Sequence, residues 1–371
     1  MALLGFGDLK DTALHSLWDT STIVKDQLAD GTTFAQMVGD VQGMINELNN
    51  SLLSMPHYSG MFAIQDEPTM EYPVGVSNGF EEATEYSVPD PRRGLTTGHM
   101  LPLKEWDRSL GWTIRYLRKA RMDRVDADVR SVMVDGRKLW QQRLLTRFFS
   151  STANTVGSTS SADVPFADAG SADSNYVPPD SPDGEAFTSS HEHFLDYGDT
   201  GITQDTLDNS AISVALEHLQ EHGHEAPFDL IGARTDAGTW AAVEGWKSPN
   251  WPQIAYHASA VERALGVADI GEYFGYVETD YGIGRVWLTP RLPTLNFGAF
   301  KSYGPGDQRN PLRVRIDRRT GFGFRLVEGN FVNAPMMLAM VFAEFGVGVG
   351  DRVNGVAVDL QTNSWAAPTI S

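Results

Sequence analysis

RYLRKARMDRVDADVRSVMVDGRKLWQQRLLTRFF, from Arg115 to Phe149, is the stretch on which the fold turns. Val125, Val129, Val132, Leu139 and Trp140 recur at helical spacing, and Leu144 and Phe148 extend the same stripe. Asp123, Asp126 and Asp128 alternate with Arg121, Arg124 and Arg130 on the other face, and Gly136 is placed to bend the helix. A helix of about 30 residues is about 45 Å long. That exceeds the usual globular helix and predicts a spine against which other elements are laid.

Upstream, residues 57–104 change character. Pro68, Pro73, Gly75, Pro89, Pro91, Gly94, Gly98 and Pro102 interrupt short alternating pieces such as Met70-Glu71-Tyr72-Pro73-Val74. Ser77-Asn78-Gly79 sits near the middle, and Asn-Gly is a strong hairpin signal. Two readings stand: a long two-stranded ribbon that lies on a neighbouring subunit, or a long surface loop of one domain. Arms of about 20 residues reach roughly 60 Å at about 3.3 Å per residue, and such a ribbon is marginal alone. Residues 1–56 read as an arm. Asp40 can cap a helix through Val41, Met44, Ile45, Leu48 and Leu52, and a helix that short and narrow needs a partner surface.

Downstream, residues 150–190 are rich in Ser, Ala, Asp and Pro and read as a long loop with apolar anchors at Val164, Phe166, Tyr176, Val177 and Phe187. A helix is expected from Thr203 to Glu221, stopped by Gly223. From Phe228 to Leu360 the pattern is mixed α/β. It contains a strand at Phe228–Ile231 and a helix capped by Thr235 or Asp236 through Trp240 and Val243. A hairpin is expected at Tyr273–Val277 and Ile283–Leu288 around Asp280-Tyr281-Gly282, with strands at Arg313–Ile316 and Phe322–Val327. Met336–Phe345 is a buried segment, strand or helix.

There is no Cys, which excludes disulfides, thiolate metal sites and thiol nucleophiles. The N-terminus lacks the pattern of a signal peptide, and no stretch approaches the roughly 20 apolar residues of a membrane span. The formal net charge of −19 is unlike that of a free nucleic-acid binder and favours solubility through self-repulsion. About half of the Lys and Arg lies between Arg92 and Arg147. None occurs from Phe148 to Ala233, where Asp and Glu are abundant, and a second basic block follows with Lys301, Arg309, Arg313, Arg315, Arg318, Arg319 and Arg325. In a monomer this is only an uneven field. In a self-assembling protein, opposite patches on neighbouring copies would steer docking and fix register.

The one constellation with ligand character is a histidine set. His191-Glu192-His193 puts two imidazoles on one side of an extended segment, and His222-Gly223-His224-Glu225 adds a second pair. Divalent transition metals take such ligands, but the spacing matches no established metal motif and the helical His-Glu-x-x-His pattern is absent. His218, His222 and His224 equally suit a helix C-terminus. Gly321-Phe322-Gly323-Phe324 and Gly346-Val347-Gly348-Val349-Gly350 lack the context of a phosphate loop and read as turns. No nucleophile elbow is present. No catalytic, cofactor-binding or metal residue is therefore assigned, and no cofactor is expected.

Four blocks carry a family resemblance: GLTTGHMLPLKEWDRSLGWTIRYLRKARMDRVDADV (Gly94 to Val129), SADVPFAD with YVPPDSPDGEAFTSSHEHFL (Ser161 to Leu195), FGAFKSYGPGDQRNPLRVR (Phe297 to Arg315) and FGVGVGDRVNGVAV (Phe345 to Val358). They resemble segments of tailed-bacteriophage major capsid proteins. The resemblance implies an α+β chain of the Hong Kong 97-type fold, not an enzyme. It implies an N-terminal arm at 1–56, an extended β-hairpin loop at 57–104, and a peripheral domain with the spine helix and acidic loop at 105–202. An axial domain would occupy 203–310, with return strands and the C-terminus at 311–371. It further implies hexamers and pentamers in an icosahedral virion shell assembled in the host cytoplasm. The partners it implies are portal, scaffolding and decoration proteins and packaged double-stranded DNA touched only non-specifically, with no membrane. An acidic shell protein would also avoid sticking to that DNA. Some members crosslink through a loop Lys, but no Lys lies between Lys25 and Lys104, so that route is not expected here. The arm is short for the scaffolding segment that some members remove by proteolysis, so no such cleavage is expected. The rival readings are an encapsulin-like compartment, a His/carboxylate metal-dependent hydrolase, and a decoration or scaffolding protein.

Overall fold

The computed structural model describes residues 28–74, 95–117, 119–153, 155–156, 160–161, 163–168, 176–184, 186–199, 202, 206–248, 273–328 and 336–371. The first half of the chain order is α1 (Phe34–Ser54), α2 (Pro56–Ser59), β1 (Phe62–Gln65), β2 (Thr69–Val74), β3 (Leu95–Met100), β4 (Glu105–Thr113), α3 (Ile114–Leu117), α4 (Met122–Phe148), β5 (Thr155–Val156) and β6 (Ser160–Ser161). Then come β7 (Phe194–Asp196), α5 (Asn209–Glu221), β8 (Phe228–Ala233), α6 (Ala237–Ala242), β9 (Trp246–Lys247), β10 (Tyr273–Thr279), β11 (Gly282–Thr289), β12 (Asn296–Phe300), β13 (Leu312–Ile316), β14 (Arg325–Glu328), β15 (Met336–Val349) and β16 (Val356–Asp359). The chain is α+β. It forms two compact units, each from interleaved pieces: one within Met1–Ser51, Glu105–Lys138 and Phe322–Glu344, the other within Leu52–Lys104, Leu139–Gly321 and Phe345–Ser371.

In the first unit, α1 begins earlier than the expected Asp40 cap. The Thr33 amide donates to Gln36 Oε1 at 3.0 Å and the Gln36 amide donates back to Thr33 Oγ1 at 3.3 Å. This reciprocal box satisfies two helix-end amides and leaves Asp40 exposed inside the helix. Met37, Val41, Ile45 and Leu48 form its buried stripe. The spine helix starts at Met122, whose amide donates to Asp30 Oδ2 at 2.7 Å. It runs 27 residues, about 40 Å at about 1.5 Å per residue. Val125, Val129 and Val132 are buried. Gly136 does not break the helix; a β-carbon there would lie 3.2 Å from Phe324 Cζ, so the glycine makes room for that ring. The Asn49 side chain pairs with the Phe324 backbone through both its amide and its carbonyl, at 2.9 and 2.8 Å.

β4, not foreseen, occupies the approach to the spine helix. Leu110 and Trp112 alternate inward along it, and it pairs antiparallel with β15 from Met336↔Thr113 to Glu344↔Glu105. β14 flanks β15 on its other side, Arg325 opposite Phe342. The segment left open between strand and helix is thus a strand.

In the second unit a seven-stranded mixed sheet runs β7-β16-β12-β8-β11-β10-β9. β8 and β11 are parallel, Phe228 opposite Gly284. The expected hairpin β10–β11 closes at Asp280-Tyr281 with Gly282 at φ 116°, a left-handed position that suits glycine. Helix α5 begins at Asn209 rather than Thr203, because the Asp208 carboxylate accepts from the Ala211 amide at 2.9 Å. Its buried residues Ala211, Ile212, Ala215, Leu216 and Leu219 share one core with Phe228, Leu230, Val277, Val286 and Leu288. Asp236 does not cap α6 with its side chain; its carboxylate accepts from the Leu295 amide at 2.6 Å.

β13 pairs in parallel with β1 and antiparallel with the last residues of β15, Leu312 opposite Phe62 and Val349. The Gly346–Gly350 run is not a set of turns. Gly346 and Gly348 lie within β15, and β-carbons there would collide with the Pro102 carbonyl oxygen and the Leu101 side chain. These glycines are required by close backbone approach. Gly348→Val should therefore lower the unfolding free energy measured by chemical denaturation by an amount in the upper part of the roughly 1–3 kcal/mol range for overpacking. Gly43 faces open space within α1, so Gly43→Ala should raise stability by about 1 kcal/mol. Equal effects at the two glycines would refute this packing account.

Candidate functional sites

The root of the ribbon is present as β2 paired antiparallel with β3, from Thr69↔Met100 to Val74↔Leu95. These pairs make the described ends of residues 57–104 two-stranded; the Ser77-Asn78-Gly79 turn lies outside the described residues. The root is tied down by backbone: the Leu101 amide donates to Pro68 O at 2.7 Å, Arg315 Nη1 to Leu101 O at 2.7 Å, and the Phe345 amide to Lys104 O at 3.1 Å.

Beside the root sits a buried charged cluster that the sequence reading did not single out. Asp163, fully buried and at φ 75°, accepts from Arg147 Nη1 at 2.9 Å and from the Val349 amide at 3.0 Å. Arg147 also donates to the carbonyls of Ser150 and Thr152. Arg352 donates to Pro165 O and lies over the Tyr176 ring at 3.8 Å. His99 Nε2 is 4.0 Å from Asp163. Burial, helped by the Arg352 and Arg147 charges, pulls its pKa down to about 4, so the imidazole is neutral near pH 7 and the contact is no ion pair.

The second basic block divides on inspection. Arg313 is buried, its guanidinium donating to the carbonyls of Asn310, Leu312 and Gln308. Arg309 pairs with Asp307 and packs 4.0 Å from the Tyr303 ring. Arg318 is largely exposed, with a 3.7 Å contact to Asp66, and Arg319 is exposed. Only part of that block can present charge to another molecule.

The histidines converge further than their spacing suggests. His191 and His193 lie just before β7, and His222, at the end of α5, meets them. His222 Nε2 lies 2.9 Å from His191 Nε2 and 3.0 Å from His193 Nε2. His193 is fully buried; its Nδ1 is 2.8 Å from Gly355 O and its amide donates to Ala167 O. The Phe187 ring covers His191 and His222 at 4.6 and 4.5 Å. His218 stacks on His191 at 5.4 Å, with Nδ1 against the Val214 carbonyl. Burial first, then the neighbouring imidazoles, holds His191 at about 4, His222 at about 3 and His193 well below its usual range. His224 is not part of the group; its Nδ1 meets the Tyr303 hydroxyl at 2.8 Å. Glu192 and Glu225 supply no ligand atom to it. Phe187 and the Gly355 carbonyl had no signal in the spacing.

No family model and no curated protein matches the chain in sequence. In three dimensions it is similar to a solved chain from Mycobacterium phage Patience, with a TM-score of 0.62 at 17% identity over 92% of this chain and 93% of that one. The chain shares the fold of that phage chain. Weaker likenesses to capsid-type chains include the mature capsid of bacteriophage PhiM1 (10% identity, TM-score 0.44, 81% of this chain and 85% of that one). The SrpI encapsulin of Synechococcus elongatus PCC 7942 is another (8% identity, TM-score 0.44, 85% and 89%).

Two outcomes follow for that cluster. Asp163→Ala should destabilise by about 3–5 kcal/mol in chemical denaturation, because it strands the buried Arg147 charge. His99 has a folded pKa near 4 against 6.5 unfolded. Its contribution is complete above pH 6.5 and is lost as pH falls toward 4, on the order of 3 kcal/mol at about 1.4 kcal/mol per unit. His99→Gln should accordingly lose less melting temperature than wild type between pH 7 and pH 4.5; parallel curves would contradict the assignment.

Proposed function

We propose that this chain is the repeated shell subunit of a tailed-phage head, assembling with itself into hexamers and pentamers around double-stranded DNA. The observation that carries this reading is the end-to-end fold likeness to the Mycobacterium phage Patience chain. The β2–β3 ribbon supports it, since a two-stranded ribbon is stable only where something packs on it. In this reading residues 1–56 are the arm, 57–104 the extended loop of a Hong Kong 97-type subunit, 105–202 the peripheral part, 203–310 the axial part and 311–371 the return. Many modest contacts then act together, as in any multivalent assembly. The acidic balance suits a wall that holds DNA without adhering to it. Among the described residues no helix is long and apolar enough to cross a membrane. Portal, scaffolding and decoration proteins would be the partners, and the virion the destination after assembly in the host cytoplasm.

Electron microscopy of concentrated, purified full-length protein tests the proposal directly. Closed shells with five- and six-fold clusters are expected, while a compact monomer at high concentration would overturn it. Particles from infected cells should contain DNA; a protein cargo in its place would favour the encapsulin-like compartment. Arg318→Glu with Arg319→Glu should shift the salt dependence of assembly, since exposed charges steer docking. An unchanged salt profile would remove these residues from the interface.

A further inference from the structure

Proton counting exposes a problem in the histidine group. A neutral imidazole carries one N–H. With His193 Nδ1 facing the Gly355 carbonyl at 2.8 Å, its proton sits there, and its Nε2 is left as a bare acceptor. His222 Nε2 must then donate across the 3.0 Å gap to His193. The same Nε2 stands 2.9 Å from His191 Nε2. One N–H points straight at one acceptor, so the protons available do not give both contacts a linear hydrogen bond. A single cation among the three nitrogens removes the conflict.

We propose that His191, His193 and His222 bind one borderline divalent transition ion of the Zn²⁺ or Co²⁺ class, leaving the fourth position to solvent. The three ligand atoms lie within 4.8 Å of one another. Ligands of a tetrahedral ion at about 2.0–2.1 Å are about 3.3 Å apart, close to the 2.9 and 3.0 Å separations here. The His193 Nδ1 contact with a backbone carbonyl is the outer partner that metal-bound histidines use to fix their tautomer. Phe187 shields two of the rings from water. The donor set is all imidazole, with no carboxylate, so Ca²⁺ and Mg²⁺ are disfavoured. The ion would staple the segment from Phe187 to Leu195 onto the C-terminal end of α5, a cross-link for a chain that has no cysteine. This inference stands independently of the shell reading.

The test uses the untagged full-length chain, stripped with chelator and titrated with ZnCl₂ or CoCl₂ by calorimetry and absorption. One ion per chain is expected, with the intense visible bands of tetrahedral Co²⁺, and Zn²⁺ should raise the unfolding temperature. His191→Gln, at a half-buried position, should weaken binding by more than the roughly 10–100-fold that loss of an outer-shell partner costs. His222→Gln should do the same. Should either variant misfold, the wild-type Co²⁺ spectrum decides: weak octahedral bands overturn the site. Absence of saturable binding at millimolar metal overturns it too, as would equal affinity in folded His191→Gln or equal binding of Ca²⁺.

Discussion

Asp163 is the carboxylate about which the second unit is organised. It is wholly buried, and a lone charge there would be untenable. Its oxygens are satisfied by Arg147, near the end of the spine helix, and by the amide of Val349, the last residue of β15. Arg147 in turn holds the carbonyls of Ser150 and Thr152, where the chain leaves the helix. One side chain thus fixes helix end, loop and strand together. Such a pair adds little net stability over an apolar substitute, but it permits only one arrangement of its partners. Next to Arg147 in the chain, Phe148 gathers the rings of Phe149, Phe166 and Phe300, with centroids 5.1 to 6.0 Å from its own.

The spine helix was legible because its stripe is long and regular: Val125, Val129, Val132, Trp140, Leu144 and Phe148 are buried as their spacing requires, and Leu139 is half-buried. The β10–β11 hairpin was legible because Asp280-Tyr281-Gly282 is local turn chemistry. What escaped was non-local. β4 reads as an approach to a helix until its partner, more than two hundred residues downstream, is known. Gly346 and Gly348 resemble a turn until Leu101 and Pro102 are seen against them. Asp40 resembles a cap in sequence, but the Thr33–Gln36 box, a stronger signal, sets the start of the helix. The histidine group was half visible: the paired spacing at His191 and His193 marked two members. Only the fold could choose His222 over His224, since Gly223, at φ 80°, sends the chain from one toward the core of the group and the other toward Tyr303.

Charge sorting along the sequence also changes meaning in three dimensions. A run of arginines looked uniform, yet Arg313 serves buried carbonyls while Arg318 reaches solvent. Counting charges by sequence block therefore overstates the field that the folded chain presents to solvent. The net acidic balance, by contrast, survives folding: among the described residues Arg147, Arg313 and Arg352 are taken inward, but so are Asp163, Asp229, Asp236 and Asp359, and the two signs are withdrawn nearly alike.

The anchoring of the β2–β3 root has a mechanical side. Leu101, Pro102 and Lys104 are gripped by main-chain contacts and by Arg315, with glycines letting β15 pass directly beneath. The described base of the hairpin, from Thr69↔Met100 to Val74↔Leu95, is thereby clamped rather than hinged. A load on those rungs passes through Leu101 and Lys104 to Arg315 and Phe345, so it must stretch hydrogen bonds before it can turn the base.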